Sequence, residues 1–229
     1  MELLEFDNFI FDLYGTLIDI HTDEHCDETW KRWLLFLDKK KIKHPCLAVF
    51  RDDFFNKDKE YRLRATEYEY PEIDILKVYD ELFTLYGNRR FSDEELFEIS
   101  YQFRVSSRDH FELFEGVRDF LNGLKRLGKK IYILSNAQRS YTLYELRHFG
   151  LDRLVDDFLI SSDYGCMKPD KAFYGAIVEK HSLDKNRTVM LGDSLENDYR
   201  GAIDAGLNAI WLGEENAAEK FYKKMVSIL

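Results

Sequence analysis

The sequence predicts an α/β fold, in which helices cover both faces of a parallel sheet and a helical domain is inserted after the first strand. Short apolar runs alternate with amphipathic segments over residues 112–229, and this alternation is typical of a parallel sheet. Residues 18–111 show helical periodicity and no strand pattern. We therefore expect a core domain formed by residues 1–17 and 112–229 and an all-helical cap formed by residues 18–111.

Apolar runs of strand length predict the sheet. They are DNFIFD (7–12), KKIYILSNA (129–137), DDFLISSD (156–163), RTVMLGDS (187–194) and NAIWLG (208–213). Asp12, Ser135 and Asp193 stand at or near the ends of three of these runs. Since ligands of parallel sheets bind at the carboxyl ends of the strands, we expect the functional site at this edge of the sheet.

Glycine marks the end of three predicted helices in the core. The segment GVRDFLNGLKRLG places its apolar residues on one face and ends at Gly128. SYTLYELRHFG ends at Gly150, and DYRGAIDAG ends at Gly206 in the same way. These helices provide the layers that cover the sheet.

Three segments of the insertion have helical patterns of their own. WKRWLLFL places Trp30, Trp33, Leu34 and Leu37 at the i, i+3, i+4 and i+7 positions of one face. DILKVYDELFTLYG is helical up to Gly87, and SDEELFEISYQF opens with the capping-box pattern S-x-x-E. An insertion this close to the end of the first strand is well placed to act as a lid that excludes water and selects the substrate. The alternative is that it only extends the core.

The composition argues against some classes of partner. The formal net charge of −10 opposes binding to nucleic acid, whose backbone the chain would repel. No apolar run approaches the roughly 20 residues that span a bilayer, and the acidic N-terminus MELLEFDNF lacks a signal-peptide pattern. We therefore predict a cytoplasmic protein with no nucleic-acid or membrane partner, and we expect its widely spaced cysteines to be reduced.

Four motifs, in the order DLYGTL, ILSNA, MKPD and LGDSLEND, resemble those of the haloacid dehalogenase-like hydrolase superfamily. Each motif lies at the end of a predicted strand or in the loop after it. The resemblance covers the whole core and the position of the cap. It implies a Rossmann-like α/β core with a helical cap, and hydrolysis of a substrate through a covalent aspartyl intermediate.

The resemblance implies roles for five residues around the reacting group. Asp12 matches the nucleophile, and Lys168 matches the cation that pairs with the nucleophile and the transferring anion. Thr16 and Ser135 match positions that hydrogen-bond the nucleophile or a transferred phosphoryl group. Asn136 lies in the loop that helps to hold the substrate. Each of these residues also has an ordinary structural interpretation, as a turn former, a hydroxyl in a turn or a surface charge.

The same resemblance implies a magnesium site. Asp193 and Asp198 match the acidic pair that holds the ion, with Asp12 and the backbone carbonyl of Tyr14 as further ligands. The charges alone lead to a similar expectation, because three carboxylates at one sheet edge repel one another unless a cation lies between them. Lys168 offsets part of that charge, and hard oxygen ligands favour Mg²⁺ for the rest.

Tyr14 leaves the chemistry open between two classes of enzyme. Phosphatases of this superfamily usually have aspartate two residues after the nucleophile. The 2-haloacid dehalogenases have tyrosine there, and they replace the first acid of the last motif with a hydroxyl. Here Asp193 occupies that place, so we favour a Mg²⁺-dependent phosphatase that acts on a small phosphorylated metabolite. The alternatives are a metal-independent 2-haloacid dehalogenase and a binding protein without turnover.

Two further patterns have more than one interpretation. Arg51, Arg62 and Arg64 could reach an anionic substrate or form a solvated face of a helix. His21 and His25 are four residues apart, which on a helix would let both face one metal ion, but no third ligand follows at a matching spacing. We expect these histidines to lie in a polar loop that enters the cap.

Overall fold

A five-stranded parallel sheet lies at the centre of the protein, for which the computed structural model describes residues 3–213 and 217–227. The strands of the described residues are β1 (Asn8–Phe11), β2 (Ile18–Thr22), β3 (Arg108–Leu113), β4 (Lys130–Ser135), β5 (Asp157–Ile160), β6 (Thr188–Gly192) and β7 (Asn208–Trp211). The central sheet has the order β5-β4-β1-β6-β7, so the strand that ends before Asp12 is in the middle. All five strands predicted for this sheet are confirmed.

Helices connect these strands and form the insertion. They are α1 (Asp27–Lys39), α2 (Leu47–Arg64), α3 (Ile75–Leu85), α4 (Asp93–Ser107), α5 (Val117–Arg126), α6 (Arg139–Phe149), α7 (Ser161–Tyr164), α8 (Lys171–His181), α9 (Gly201–Asp204) and α10 (Ala217–Val226). A π-helical segment, Leu195–Arg200, runs directly into α9. The helix predicted to end at Gly206 is therefore partly π-helical, and it stops at Asp204.

Different helices bury the two faces of the central sheet. Successive residues of a strand point to opposite faces, so Phe9 and Phe11 pack in one apolar cluster and Ile10 packs in the other. Helices α5 and α10 contribute to the first cluster, and α8 contributes to the second. The three β1 side chains are fully buried, as expected of a central strand. The predicted α/β fold with helices on both faces is confirmed.

Helices α1 to α4 share an apolar core of their own, and we keep the name cap for the domain that we propose they form. Trp30 and Trp33 of α1 lie in this core, and the ring of Phe103 is 5.0 Å from each indole. Nε1 of Trp33 donates to the carbonyl of Ile99 at 3.0 Å, which satisfies a buried donor. The capping box predicted at Ser92 is confirmed at the start of α4.

A two-stranded antiparallel ribbon joins the cap to the core. Strands β2 and β3 pair from Ile18 with Leu113 to Thr22 with Arg108, so both connections between the domains pass through it. The prediction that residues 18–111 contain no strand is therefore wrong at both ends of that range. The periodicity missed these strands because they are short, polar and mostly half-exposed, and cross-strand pairing stabilises them more than burial does. We keep residues 18–111 as the proposed extent of the cap, with the ribbon at its base.

The structure also bears on two expectations drawn from composition. No helix in the described part of the chain is long and apolar enough to cross a bilayer. Cys26 and Cys46 are exposed and Cys166 is buried, and all three thiols are free.

Candidate active site

The carboxyl ends of the central strands bring the predicted site residues together. Asp12 follows β1, Ser135 ends β4 and Asp193 follows β6, while the π-helical segment carries Asp198. Lys168 comes from the loop between α7 and α8. A cavity of about 190 Å³ opens at this edge of the sheet. Its lining residues are Asp12, Tyr14, Asn136, Lys168, Asp193, Ser194, Asn197 and Asp198.

Lys168 connects two of the acids. Its side chain is almost fully buried, and Nζ donates to Oδ1 of Asp12 at 2.5 Å and to Oδ1 of Asp198 at 2.6 Å. Burial alone would lower the pKa of this ammonium group, but the two carboxylates outweigh burial and raise the pKa above its usual range. Lys168 therefore carries a positive charge at neutral pH.

Three carboxylates surround this one lysine, so a single positive charge does not compensate them. Burial raises the pKa of Asp12 to about 7, with Lys168 opposing the rise and Asp198 and Asp193 adding to it. Burial also raises the pKa of Asp193, and Asp198 adds to that rise. One oxygen from each of the three acids lies within 4.8 Å of the other two. This set of hard oxygen donors fits a small divalent cation such as Mg²⁺.

Thr16 holds Asp193 in place. Its Oγ1 donates to Oδ1 of Asp193 at 3.0 Å and accepts from the backbone N–H of Asp193 at 3.1 Å. Nε1 of Trp211 donates to the carbonyl of Asp193 at 2.7 Å. The buried hydroxyl of Thr16 therefore positions a predicted metal ligand, whereas the resemblance implied a contact with the nucleophile or with a phosphoryl group.

Asp198 is oriented by both of its oxygens. Oδ1 accepts from Lys168, and Oδ2 accepts from the backbone N–H of Ser194 at 2.9 Å. The last residue of β6 is Gly192, where a Cβ would lie 2.2 Å from Oδ2 of Asp198. The strand therefore needs glycine at its end, because any side chain would displace this acid.

The two polar residues at the end of β4 have different surroundings. Asn136 donates from Nδ2 to the carbonyl of Lys168 at 2.9 Å and accepts from the backbone N–H of Lys168 at 2.7 Å. These two bonds hold the backbone that carries the lysine. Ser135 is fully buried, and its Oγ has no hydrogen-bond partner among the described residues. An unpaired buried hydroxyl is costly, so this group is available to a bound ligand.

Residues 6–206 of the chain match the family model of the haloacid dehalogenase-like hydrolases. The chain belongs to this family. The matched residues include four of the five strands of the central sheet, the segment proposed as the cap and every member of the acidic site. The resemblance based on the four motifs is therefore confirmed.

Relatives of this hydrolase include two proteins that are named pyrimidine 5′-nucleotidases. PynA of Streptococcus pneumoniae is 24% identical to the chain over 163 residues, which are 67% of each protein. YjjG of Escherichia coli is 34% identical over 98 residues, which are 42% of this chain and 43% of the relative. The matched segments thus span from less than half to two thirds of these two relatives.

Solved structures similar to the hydrolase include proteins of two kinds. The HAD-hydrolase YfnB of Bacillus subtilis, bound to magnesium, superposes with a TM-score of 0.55 at 20% identity, covering 96% of this chain and 98% of that one. A 2-haloacid dehalogenase of Pseudomonas syringae pv. tomato superposes with a TM-score of 0.63 at 17% identity, covering 97% of this chain and 99% of that one. At these identities the two likenesses establish the fold, and the choice of chemistry depends on the site itself.

The phenol of Tyr14 in this hydrolase is engaged by a buried acid. It donates to Oε2 of Glu145 and shares a 3.0 Å hydrogen bond with Oγ1 of Thr142. Burial, and after it the charge of Glu145, raise the pKa of Tyr14 well above its usual range. The phenol therefore stays protonated and directs its proton to Glu145. Glu145 was not among the predicted site residues, because a glutamate in an amphipathic helix usually faces solvent and this one is fully buried.

A second cavity, of about 220 Å³, lies between the cap and the core, and we call it the interdomain cavity. Asn136 lines both this cavity and the acidic one. Gln138 joins the two domains beside it, since Oε1 accepts from the N–H of Ile75 at 2.9 Å and Nε2 donates to the carbonyl of Ile73 at 2.8 Å. The lining includes the rings of Phe54, Phe55, Tyr79, Phe103 and Tyr141 and the polar groups of Glu24, Asp58, Arg62, Glu72, Ser100, Arg104 and Gln138.

Of the three cap arginines that the sequence analysis considered, Arg62 lines the interdomain cavity. It is already paired there, with Asp58 at 3.0 Å and with Glu72 at 3.1 Å. Arg51 and Arg64 each pair with another acid of the cap. Their surface ion pairs match the interpretation as a solvated helix face.

The two histidines near the start of the proposed cap do not converge. His21 belongs to β2 and hydrogen-bonds Asp109 at 2.7 Å. His25 is exposed and stacks on Phe55 with 4.8 Å between ring centroids. The prediction of a polar loop is therefore right for His25 and wrong for His21, which lies in the ribbon.

Proposed function

We propose that this hydrolase is a Mg²⁺-dependent phosphatase that releases phosphate from a small phosphorylated metabolite. The observation that carries the proposal is the group of three carboxylates around Lys168, whose oxygens converge within 4.8 Å. In a metal-free dehalogenase Lys168 alone would have to compensate these three negative charges. The names of PynA and YjjG, which are nucleotidases, agree with a small phosphorylated substrate.

In this proposal Asp12 is the nucleophile. Its carboxylate attacks phosphorus, the bond from phosphorus to the leaving oxygen breaks, and water then hydrolyses the aspartyl-phosphate. Lys168, 2.5 Å from Oδ1 of Asp12, balances negative charge on the nucleophile and on the group in transfer. The unpaired hydroxyl of Ser135 supplies a donor for a phosphoryl oxygen.

The metal site of the proposal uses the acidic cluster. Asp12, Asp193 and Asp198 hold the ion, and the backbone carbonyl of Tyr14 is the fourth protein ligand that we propose. When bound, Mg²⁺ supplies positive charge that neutralises phosphoryl oxygens during transfer. The chain's own part is to orient the acids, through Thr16 for Asp193 and through Lys168 and a backbone N–H for Asp198.

This enzyme should differ from a phosphatase with a second aspartate in the leaving groups of the substrates that it prefers. Tyr14 does not supply a proton, and general acid catalysis is worth roughly 10² to 10⁴ in rate. We therefore expect kcat/KM for aryl or anhydride-like phosphates, whose leaving groups need no proton, to exceed that for simple alkyl phosphates by about 100-fold or more. A phosphate-release panel with and without Mg²⁺ measures both the metal requirement and this preference.

The same panel separates the alternatives. Phosphate release that EDTA does not reduce would contradict the magnesium site, and equal kcat/KM on aryl and alkyl phosphates would contradict the role given to Tyr14. Binding of Mg²⁺ and beryllium fluoride without turnover of any substrate would indicate a binding protein.

A 2-haloacid dehalogenase is the second candidate, and the observation that favours it is Tyr14. That chemistry displaces halide from carbon, so it needs neither a proton donor nor a metal ion. Asp193 argues against it, because it adds a half-buried negative charge beside the site of a carboxylate-bearing substrate. Chloride release from 2-chloropropionate in the presence of EDTA would establish this alternative in place of the phosphatase.

Gly15 offers a test of the geometry around Asp193. Its φ is +80°, and a Cβ there would lie 2.5 Å from Oδ2 of Asp193. We expect Gly15→Ala to lower the free energy of unfolding by about 1–2 kcal/mol through backbone strain. It should also raise the Mg²⁺ concentration for half-maximal phosphate release, because the methyl group displaces a metal ligand.

Gly128→Ala is the matched control for this change. Gly128 also has a positive φ, of +74°, but nothing lies within 4 Å of its Cβ position. Urea denaturation should show at least as large a loss of stability in Gly15→Ala as in Gly128→Ala, and only Gly15→Ala should weaken the response to Mg²⁺. An unchanged response in Gly15→Ala would remove Asp193 from the metal site.

A further inference from the structure

We propose that Arg104 binds a second anionic group of the substrate, a carboxylate or a second phosphate, in the interdomain cavity. The inference rests on the proposed phosphatase function and narrows its substrate class to phosphorylated compounds whose leaving group carries its own negative charge. Arg104 would then be a residue of the cap that determines specificity.

Arg104 is buried with most of its hydrogen-bonding capacity unused. It is 7% exposed, and Nε donates to Oε1 of Glu145 at 3.2 Å. Among residues 3–213 and 217–227, its two terminal nitrogens have no hydrogen-bond acceptor. The guanidinium lies between two rings, 4.9 Å from the centroid of Tyr14 and 4.6 Å from that of Tyr141. This stack holds the fork in one plane, and a rigid fork with free donors is the geometry that binds carboxylates and phosphates.

The charges around Glu145 leave one positive charge in excess. Arg104 and Arg108 both donate to Oε1 of this carboxylate at 3.2 Å, and Oε2 accepts from the neutral phenol of Tyr14. Glu145 is fully buried and is the one anion that the two cations share, while Arg104 lines the interdomain cavity. A buried charge without compensation is costly, and an anionic group of the substrate would supply the missing charge.

Arg104 lies where a substrate that extends from the acidic cavity into the interdomain cavity would pass. Arg104 and Asn136 both line the interdomain cavity, and Asn136 also lines the acidic cavity. Tyr14 lines the acidic cavity and stacks on Arg104. A substrate with its phosphoryl group at Asp12 can therefore extend its leaving group past Asn136 towards the guanidinium.

The acids of the interdomain cavity leave the arginine available. Asp58 and Glu72 pair with Arg62. Glu24 also lines the cavity, but in the described part of the chain Glu145 is the acid within 4.0 Å of an Arg104 nitrogen. No acid of the cavity wall thus occupies the place proposed for the anionic group of the substrate.

Matched substrate pairs test this proposal in the 229-residue chain with Mg²⁺. Phenyl phosphate is compared with 4-carboxyphenyl phosphate, and propyl phosphate with propane-1,3-diol bisphosphate, so the two arms separate a carboxylate from a second phosphate. We expect the wild type to prefer the substrate with the extra anion in at least one pair by about 10- to 100-fold in kcat/KM. Arg104→Met should abolish that preference, mainly by raising KM, and Arg104→Lys should retain part of it.

Arg108→Met is the matched control. Arg108 contacts the same oxygen of Glu145 but does not line the interdomain cavity, so this variant perturbs Glu145 and should keep the preference. Equal loss of the preference in Arg104→Met and Arg108→Met would overturn the proposal, because it would indicate a structural effect through Glu145.

Other outcomes separate this inference from the proposed function. Hydrolysis by the wild type with no preference in either pair would overturn the inference alone, whether or not the variants fold. Absence of hydrolysis of all four compounds would contradict the phosphatase proposal. In that case, calorimetric binding of 4-carboxyphenyl phosphate and phenyl phosphate to the wild type still tests the anion contact, and equal affinities would overturn it.

Discussion

If Asp12 is the nucleophile as proposed, we expect Asp12→Asn to reduce phosphate release by a factor on the order of 10⁴ to 10⁶, as loss of a nucleophile does in covalent hydrolases. The amide keeps the size of the carboxylate but cannot form the aspartyl-phosphate. The variant should fold as well as the wild type in EDTA, because Lys168 keeps its partner Asp198 at 2.6 Å and one buried negative charge is removed. Phosphate-release kinetics and urea denaturation measure the two effects separately.

Asp7→Asn is the control for this change. Asp7 and Asp12 flank the same strand, β1, but Asp7 lies at the amino end and pairs with Arg187. We expect this variant to retain its activity, since the pair is half-exposed and far along the strand from the site. Activity of Asp12→Asn within tenfold of the wild type would show that another group is the nucleophile.

The site residues at the strand ends could be predicted from the sequence for a physical reason. A strand buried on both faces is a continuous apolar run, so a polar residue such as Asp12 or Asp193 marks where the strand leaves the core. Parallel strands end at the same edge of the sheet, and this brings residues that are far apart in the chain together in one site. The contacts of these residues were less predictable: Thr16 contacts Asp193 instead of Asp12.

The group around Glu145 could not be predicted, because it depends on how the cap packs on the core. Glu145 lies on α6 among polar residues, and its burial comes from Arg104 and Arg108, which are supplied by the other domain. In the sequence each of these three residues is an ordinary charged residue of an amphipathic or polar segment. Strands β2 and β3 were not predicted for a related reason. Short polar strands show no apolar alternation in the sequence, and it is their pairing in the fold that identifies them.

This packing also gives a physical account of Tyr14. Because Glu145 accepts a hydrogen bond from the phenol, Tyr14 connects the loop after Asp12 to helix α6 of the core instead of facing a leaving group. Arg104, which stacks on the same ring, completes the connection. Tyr14 is therefore compatible with phosphoryl transfer. We expect it to lower the rate of hydrolysis only for substrates whose leaving oxygen must be protonated.

Of the substitutions considered, we expect Lys168→Met to lower the free energy of unfolding the most. Removing one partner of a buried ion pair typically costs about 3–5 kcal/mol, because the other charge remains buried and unpaired. Here two carboxylates, Asp12 and Asp198, lose their common donor, and Asp193 is close to both. We also expect kcat to fall by about 10²- to 10³-fold or more, because a buried cation beside the group in transfer is lost.

Urea denaturation in EDTA and in saturating Mg²⁺ measures the first effect. Because the ion and the lysine compensate the same acids, Mg²⁺ should stabilise Lys168→Met more than the wild type. Lys40→Met is the control, since Lys40 pairs with Glu98 at 2.7 Å but both side chains are nearly half exposed, and such surface pairs are worth about 0–1 kcal/mol. Equal stability of Lys168→Met and Lys40→Met in EDTA would show that the three acids do not need a compensating cation. That result would contradict the proposed metal site.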